Sequence, residues 1–194
     1  LDGLDGKARL FGSVNTVKVR DGKLTGYTTD GAGCFKALEN HGLSLSGPIL
    51  ILGNGGAARA IAFEAAVRQK DFHIALACRA SSRKKALALA EELAAYGRKR
   101  GDRGFLVTVE TYEELEADRT NQYRLLVNAT SVGMTPRVGE SPVTAETVSR
   151  CGAVFDAVYN PAETALLKMA REQGVKAVGG MEMLVYQAVA AHEI

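Results

Sequence analysis

A glycine-rich turn in the first third of the chain has the residue types that bind a dinucleotide. In the segment ILGNGGAARA, Gly53, Gly55 and Gly56 follow a short apolar run and precede an alanine-rich stretch. In dinucleotide-binding folds the first glycine allows a tight turn, the second lets backbone amides approach the pyrophosphate, and a small third residue, here Ala58, lets helix and strand pack closely. Glycine turns also occur without a ligand, so the pattern needs support from its surroundings. The cofactor-binding residues it predicts are Gly53, Asn54, Gly55, Gly56 and Ala57.

The basic segment ACRASSRKK, after the second apolar run, indicates which dinucleotide would bind. In NAD-binding folds an acidic residue about 20 positions after the glycines binds the ribose hydroxyls, whereas arginine accommodates the 2′-phosphate of NADP. This segment contains Arg79, Arg83 and Lys84 and no carboxylate. A solvated helix face is the ordinary alternative, but the position of the segment favours NADP, bound through Arg79 and Arg83.

A carboxylate upstream of the glycine turn is the next candidate for chemistry. Asp30 lies between two threonines and two glycines in the segment LTGYTTDGAGCF, where a strand-like run ends. A helix N-cap or an Asx-turn ahead of Gly31 would explain it structurally. A proton-transferring group is the functional alternative, and the residues of this segment alone leave both open.

Six short apolar runs predict the strands that would position these groups. They lack clean polar alternation, which is typical of strands covered on both faces in a parallel sheet. The predicted strands are Pro48–Leu52, His73–Cys78, Phe105–Val109, Leu125–Ala129, Ala153–Ala157 and Val175–Val178.

Alanine- and glutamate-rich segments between these runs predict helices. One would begin after Ser81 or Ser82 and stop at Gly97, and another would cover Ala162–Gln173. Strands and helices alternate from about Gly47 to Gly180. This alternation predicts an α/β fold, a doubly wound parallel sheet of the Rossmann type.

Composition restricts the class of partner. The 194 residues are 46% hydrophobic, and 24 basic against 22 acidic residues leave a net charge of +2. That charge is too small to predict nucleic acid or a membrane surface as partner. No apolar run approaches the roughly 20 residues that span a bilayer. The three histidines and three cysteines lack metal-ligand or disulfide spacing, so we expect a cytoplasmic protein with a small-molecule ligand and no metal.

Six blocks in order carry a resemblance along nearly the whole chain. They are GSVNTV, GYTTDGAG, LGNGGAARA, NATSVGM, DAVYNPAETALLKMAREQG and GGMEMLVYQA. Together they resemble the shikimate dehydrogenase family. The resemblance implies NADP-dependent, reversible reduction of 3-dehydroshikimate to shikimate in chorismate and aromatic amino-acid biosynthesis, with a homodimer as a possible assembly. A quinate dehydrogenase and a non-catalytic, NADP-binding regulatory module remain alternatives.

The resemblance also implies roles for individual residues. Asp30 matches the aspartate that, paired with a lysine, moves the hydroxyl proton as hydride passes to NADP. The implied substrate-binding residues are Asn15, Thr16, Thr29, Tyr159 and Gln187. The implied cofactor-binding residues beyond the glycine turn and the arginines are Asn128, Thr130, Ser131, Gly180 and Met183. For Tyr159 and Met183, packing in the core is an equal alternative.

The chain also departs from the family pattern. Thr28 and Cys78 stand where asparagines are common, which leaves the substrate preference open and places NADP recognition on the two arginines. The family's lysine-bearing segment is missing before the VNT block, and neither Lys7 nor Lys18 has its context. We therefore expect an inactive piece of a larger enzyme. Its predicted parts are a substrate-domain remnant at 1–29, an NADP-binding domain at 30–180 and the start of a returning helix at 181–194.

Overall fold

The first sheet in the chain is small and lies outside the predicted strand–helix alternation. The computed structural model describes residues 1–43 and 46–194. The sheet has the order β1-β3-β2, in which β1 is parallel and β2 antiparallel to β3. Its elements are β1 (Gly3–Leu4), α1 (Gly6–Phe11), β2 (Thr16–Arg20) and β3 (Lys23–Tyr27). Asp5 caps α1, because its carboxylate accepts a 2.7 Å hydrogen bond from the backbone amide of Ala8.

The second sheet contains the six predicted strands, all parallel, in the order β6-β5-β4-β7-β8-β9. Its strands are β4 (Ile49–Leu52), β5 (His73–Cys78), β6 (Leu106–Thr111), β7 (Leu125–Asn128), β8 (Ala153–Asp156) and β9 (Lys176–Gly179). The chain runs outward from β4 to β6 and then returns to the other side of β4 at β7. Ligands of open α/β sheets bind outside the carboxyl ends of the strands at such a reversal.

Helices cover both faces of this sheet, which confirms the doubly wound prediction. In β4, Ile49 and Ile51 belong to one buried cluster, whereas Leu50 and Leu52 belong to a second. The helices are α2 (Asp30–Asn40), α3 (Gly56–Arg68), α4 (Arg83–Arg100), α5 (Tyr112–Ala117), α6 (Ala145–Ser149), α7 (Ala165–Glu172) and α8 (Met181–His192). None of the helices in the described ranges is both long enough and apolar enough to cross a bilayer.

Two helix ends differ from the sequence-based prediction. The predicted stop of α4 at Gly97 is wrong: the helix continues to Arg100 and ends before Gly101, whose φ is +81°. Gly97 instead allows the helix to touch the ring of Phe105, which would lie 2.8 Å from a Cβ atom there. The helix predicted from residue 162 begins at residue 165, because the Thr164 hydroxyl caps it by accepting from the backbone of Leu167. The three-part domain division stays a prediction.

Candidate active site

A hydrogen-bonded cluster around Asn15 brings four predicted residues together at the start of α2. The Asn15 amide Nδ2 lies 2.5 Å from Oδ1 of Asp30, 3.0 Å from Oγ1 of Thr29 and 3.2 Å from Oε1 of Gln187. An amide nitrogen carries only two hydrogens and cannot serve three acceptors at once. At most two of these acceptors therefore receive a hydrogen bond from Asn15 at one time.

The other end of the Asn15 side chain fixes its orientation. Its Oδ1 accepts a 2.9 Å hydrogen bond from the backbone amide of Thr29, which can only donate. The Thr16 hydroxyl also donates to this oxygen, at 3.2 Å. The amide therefore presents its nitrogen to Asp30. The four predicted substrate-binding residues other than Tyr159 all belong to this network together with Asp30; they are Asn15, Thr16, Thr29 and Gln187.

Two glycines hold α2 tightly enough to fix the position of Asp30. A Cβ atom at Gly31 would lie 2.7 Å from the carbonyl oxygen of Ala60 in α3. At Gly33 it would lie 2.8 Å from the backbone nitrogen of Gln187 in α8. Only a residue without a side chain permits both approaches, so α2 is wedged between the two helices. Asp30 is the first residue of α2 and follows the N-cap residue Thr29, whose side chain makes no capping bond.

The surroundings of Asp30 favour the protonated form of its carboxyl. Burial raises the pKa of its carboxyl, and the hydrogen bond from Asn15 offsets only part of that effect by stabilising the anion. The predicted N-cap alternative for Asp30 is wrong, because Thr29 occupies the cap position. Its carboxyl is thus a candidate acid–base group held next to hydroxyl- and amide-bearing side chains.

A cavity of about 220 Å³ opens beside Asp30 and reaches the start of α8. Tyr159 lines it and is 43% exposed, so the core-packing alternative for this residue is wrong. Met183 lines the same cavity but is only 7% exposed, and it also packs in the core. Gly180 lies so close to the Ala157 carbonyl that any side chain would collide with it. The cavity is lined by Asn15, Asp30, Ala57, Ala157, Tyr159, Gly180, Met183, Leu184 and Gln187.

A second cleft, of about 250 Å³, lies at the carboxyl ends of β4, β5 and β7. Gly53 makes the turn possible, since its φ is +105° and a Cβ atom there would approach Thr130 to 3.0 Å. Gly55 is the N-cap residue of α3 and has no side chain to occupy the free backbone amides of that helix. The cleft is lined by Gly53, Asn54, Gly55, Cys78, Arg79, Ser82, Tyr112, Ala129, Thr130, Ser131, Val132 and Arg137.

Asn128 shapes the loop over this cleft and does not line the cleft itself. The residue is fully buried, and its Nδ2 donates to Asp156 Oδ1 at 2.9 Å and to the Val132 carbonyl at 3.2 Å. Its Oδ1 accepts from the backbone and the hydroxyl of Thr130 at 3.1 and 2.7 Å. This network positions Thr130 and Ser131 at the rim.

The two predicted arginines have different surroundings. Arg79 lines the cleft and has no ion-pair partner in the described parts of the chain. Arg83 instead pairs with Glu114, whose two carboxylate oxygens lie 2.6 and 2.7 Å from its guanidinium. Glu114 also completes a capping box with Thr111 at the start of α5. Arg83 does not line the cleft. The sequence motif does not reveal this, because the partner Glu114 is distant in sequence.

Tyr112 and Arg137 are among the cleft side chains that the sequence analysis did not predict. Tyr112 follows β6, and burial raises the pKa of its phenol to about 12, so it stays protonated. Arg137 follows the NATSVGM block, and its Nη2 donates to Ser131 Oγ at 2.9 Å. Its position a few residues after that block was a signal that could have been used. No spacing rule would have identified Tyr112.

The lysines near the amino terminus have partners other than Asp30. The Lys7 ammonium lies 3.0 Å from the carboxylate of Glu64, which is buried in α3. Lys18 donates to the carbonyl of Ile194. Within the described residues, the side-chain hydrogen bond to Asp30 comes from Asn15 and not from a lysine.

Comparison with known proteins gives relatives along the full length of the chain, although no protein-family model matches it. The chain is similar to a shikimate dehydrogenase (NADP(+)) of Methanocaldococcus jannaschii, with 41% identity over 196 residues. The corresponding Streptococcus sanguinis protein is 40% identical over 194 residues. Both alignments cover 100% of this chain and 66% of the relative.

Solved structures give the same result. A crystal structure of shikimate dehydrogenase in complex with NADP⁺ superposes with a TM-score of 0.83 at 40% identity, covering 100% of this chain and 64% of that one. The Thermus thermophilus enzyme in complex with NADP(H) and shikimate gives a TM-score of 0.80 at 35% identity, covering 100% and 66%. The chain thus spans about 66% of the length of the curated relatives it matches. It belongs to the shikimate dehydrogenase family.

Proposed function

We propose that the chain binds NADP and takes part, through Asp30, in the reversible reduction of 3-dehydroshikimate to shikimate. The observation that carries this proposal is that two separate sites both lie at the start of α3. The cleft at the glycine turn suits a dinucleotide, and the cavity beside Asp30 is lined by Ala57 of the same helix α3. A nicotinamide would therefore lie near the polar cluster. Relatives solved with NADP(H) and shikimate support this assignment.

The residues of the cleft fit NADP. The amino terminus of α3 offers backbone amides and a partial positive charge to the pyrophosphate. Arg79, at the end of β5, is the guanidinium expected to meet the 2′-phosphate, and no carboxylate neutralises it in the described residues. NADP supplies the hydride acceptor or donor for the substrate carbon.

The polar cluster fits a polyhydroxylated cyclic acid. Asn15 and Gln187 orient hydroxyl groups by donating and accepting hydrogen bonds. Asp30 holds or accepts the proton that leaves the reacting hydroxyl during oxidation and returns during reduction. Family members pair this aspartate with a lysine, whereas Lys7 pairs with Glu64 and Lys18 with the Ile194 carbonyl. We therefore expect the 194-residue chain alone to turn over shikimate only at trace rates.

Two alternatives make different demands on the same site. A non-catalytic NADP-binding module would need the cleft but not the cluster of Asn15, Asp30 and Gln187. A quinate dehydrogenase would use the cluster for a substrate that differs by one hydroxyl. The preference between shikimate and quinate, the predicted homodimer and the cytoplasmic location all stay predictions.

Backbone amide NMR of the isotope-labelled chain distinguishes these functions. We expect NADP to shift the amides of Gly53–Ala57 and Thr130, and shikimate, added next, to shift Asn15, Asp30 and Gln187. Quinate should compete weakly. In Asp30→Asn, the NADP shifts should persist while the shikimate shifts weaken. Shifts with NADP but none with either acid would support the module, and no shift with NADP would contradict the proposal.

A further inference from the structure

The cofactor cleft contains an arginine that the glycine and basic motifs do not include. Arg137 lies in the loop after β7, and its backbone amide donates to the Met134 carbonyl at 2.8 Å. Its guanidinium donates to Ser131 Oγ at 2.9 Å, so both ends of the residue are held. No carboxylate pairs with it in the described ranges 1–43 and 46–194.

Arg83 contrasts with Arg137 in two respects. Glu114 holds the guanidinium of Arg83 with both carboxylate oxygens, whereas Arg137 makes a single bond to a neutral hydroxyl. Arg137 also lines the cleft, whereas Arg83 does not. The cleft therefore contains two guanidiniums without a carboxylate partner among the described residues, one from the end of β5 and one from the loop after β7.

The charges of NADP indicate which phosphate group Arg137 would bind. The uncapped amides of α3 would bind the pyrophosphate. A phosphate monoester carries a charge of about −1.5 to −2 at neutral pH, which one guanidinium does not balance. Arginine has five N–H donors, so a bond to Ser131 leaves donors for phosphate oxygens.

We infer that Arg137 is a second arginine for the 2′-phosphate of NADP, acting with Arg79 in the place that the sequence motif assigns to Arg83. Arg137 and Arg79 together thereby determine the preference for NADP over NAD. This inference rests on the proposed function, because it concerns the same cleft. It also assigns a role in discrimination to the loop after β7, which is distant in sequence from the motif after β5.

The test measures the dissociation constants of NADP and NAD by calorimetry at one fixed salt concentration. We expect Arg137→Ala to weaken the binding of NADP by about tenfold, which corresponds to about 1.4 kcal/mol, and the binding of NAD by less than about twofold. Arg137→Lys should fall between, because a lysine keeps the charge but loses the planar fork. Arg83→Ala should change NADP affinity by less than about threefold, since its guanidinium is engaged by Glu114.

A rescue variant provides a second, independent readout. Glu114→Gln removes the charge that holds Arg83, and glutamine at this position can still form the capping box with Thr111. In the Arg137→Ala background, we expect Glu114→Gln to restore part of the lost NADP affinity. Thermal unfolding without nucleotide checks that each variant folds; Arg137 is exposed, so its replacement should not lower the melting temperature.

The outcomes separate this inference from the proposed function. If the unmodified chain shows no preference for NADP, both are wrong. If it prefers NADP and Arg137→Ala keeps that preference, the inference alone is overturned. If Arg137→Ala weakened NADP and NAD binding equally, Arg137 would contact the pyrophosphate. If Arg83→Ala lost about tenfold in NADP affinity, Arg83 would bind the 2′-phosphate as the sequence motif predicts. Either result also overturns the inference.

Discussion

Replacing Gly33 with alanine should force α8 away from α2. The added Cβ atom would lie 2.8 Å from both the backbone nitrogen of Gln187 and the carbonyl oxygen of Met183. These are backbone atoms in the middle of a helix and cannot rotate aside. The helix as a whole must therefore retreat by several tenths of an ångström, and the 3.2 Å contact between Asn15 and Gln187 should lengthen with it.

The expected cost follows from two opposing contributions. Overpacking of a rigid contact costs about 1–3 kcal/mol, and this site belongs in the upper part of that range. Alanine gains about 1 kcal/mol over glycine from helix propensity. We therefore expect Gly33→Ala to lower the free energy of unfolding by about 2 kcal/mol.

Gly6→Ala is the matched control, because Gly6 also belongs to a helix and a Cβ atom added there would meet no heavy atom within 4 Å. It should leave stability unchanged or raise it by up to about 1 kcal/mol. Urea denaturation followed by circular dichroism gives both values. If Gly33→Ala were as stable as Gly6→Ala, the wedging of α2 between its neighbours would be refuted.

Three further substitutions test other parts of the site. Asp30→Asn should raise the free energy of unfolding at neutral pH, because burial raises the folded-state pKa of this carboxyl and its ionisation therefore opposes folding. The gain should vanish below the unfolded-state pKa of 3.8. Urea denaturation across pH measures both effects. Asn128→Ala should cost about 2 kcal/mol, since Asp156 and Thr130 lose buried partners, and should weaken NADP binding. Lys7→Ala should cost about 1 kcal/mol or less, because Arg68 still pairs with Glu64 at 2.8 Å, and should leave NADP affinity unchanged.

Each of these three predictions has an outcome that would contradict it. A loss of stability in Asp30→Asn at neutral pH would mean that the carboxylate stabilises the fold. Unchanged NADP affinity in Asn128→Ala would separate the buried network from the cleft. A large loss of nucleotide affinity in Lys7→Ala would place this lysine in the functional site.

The six strands of the large sheet could be predicted because most of them are buried on both faces. Continuous apolar runs such as Ile49–Leu52 and residues 125–127 are the sequence pattern expected for strands with this burial. The glycine turn could also be predicted, because the positive φ of Gly53 is a conformation that requires glycine. Local chemistry therefore predicted the sheet and the turn.

The features that could not be predicted depend on contacts between distant residues. Gly97 looked like a helix stop, yet it packs against Phe105 within a continuing helix. Arg83 looked like a free cation, yet it pairs with Glu114 from another helix. Arg137 follows the NATSVGM block but lies outside it, and its place in the cleft depends on the path of the loop after β7.

The most direct test of the central claim is a calorimetric titration of the chain with NADP and with NAD, repeated with Arg79→Ala. We predict that NADP binds at least about tenfold more tightly than NAD, a difference of about 1.4 kcal/mol, and that the substitution removes this preference. Equal affinity for the two nucleotides, or no binding of either, would contradict the assignment of the cleft beside Gly53 and Arg79 to NADP.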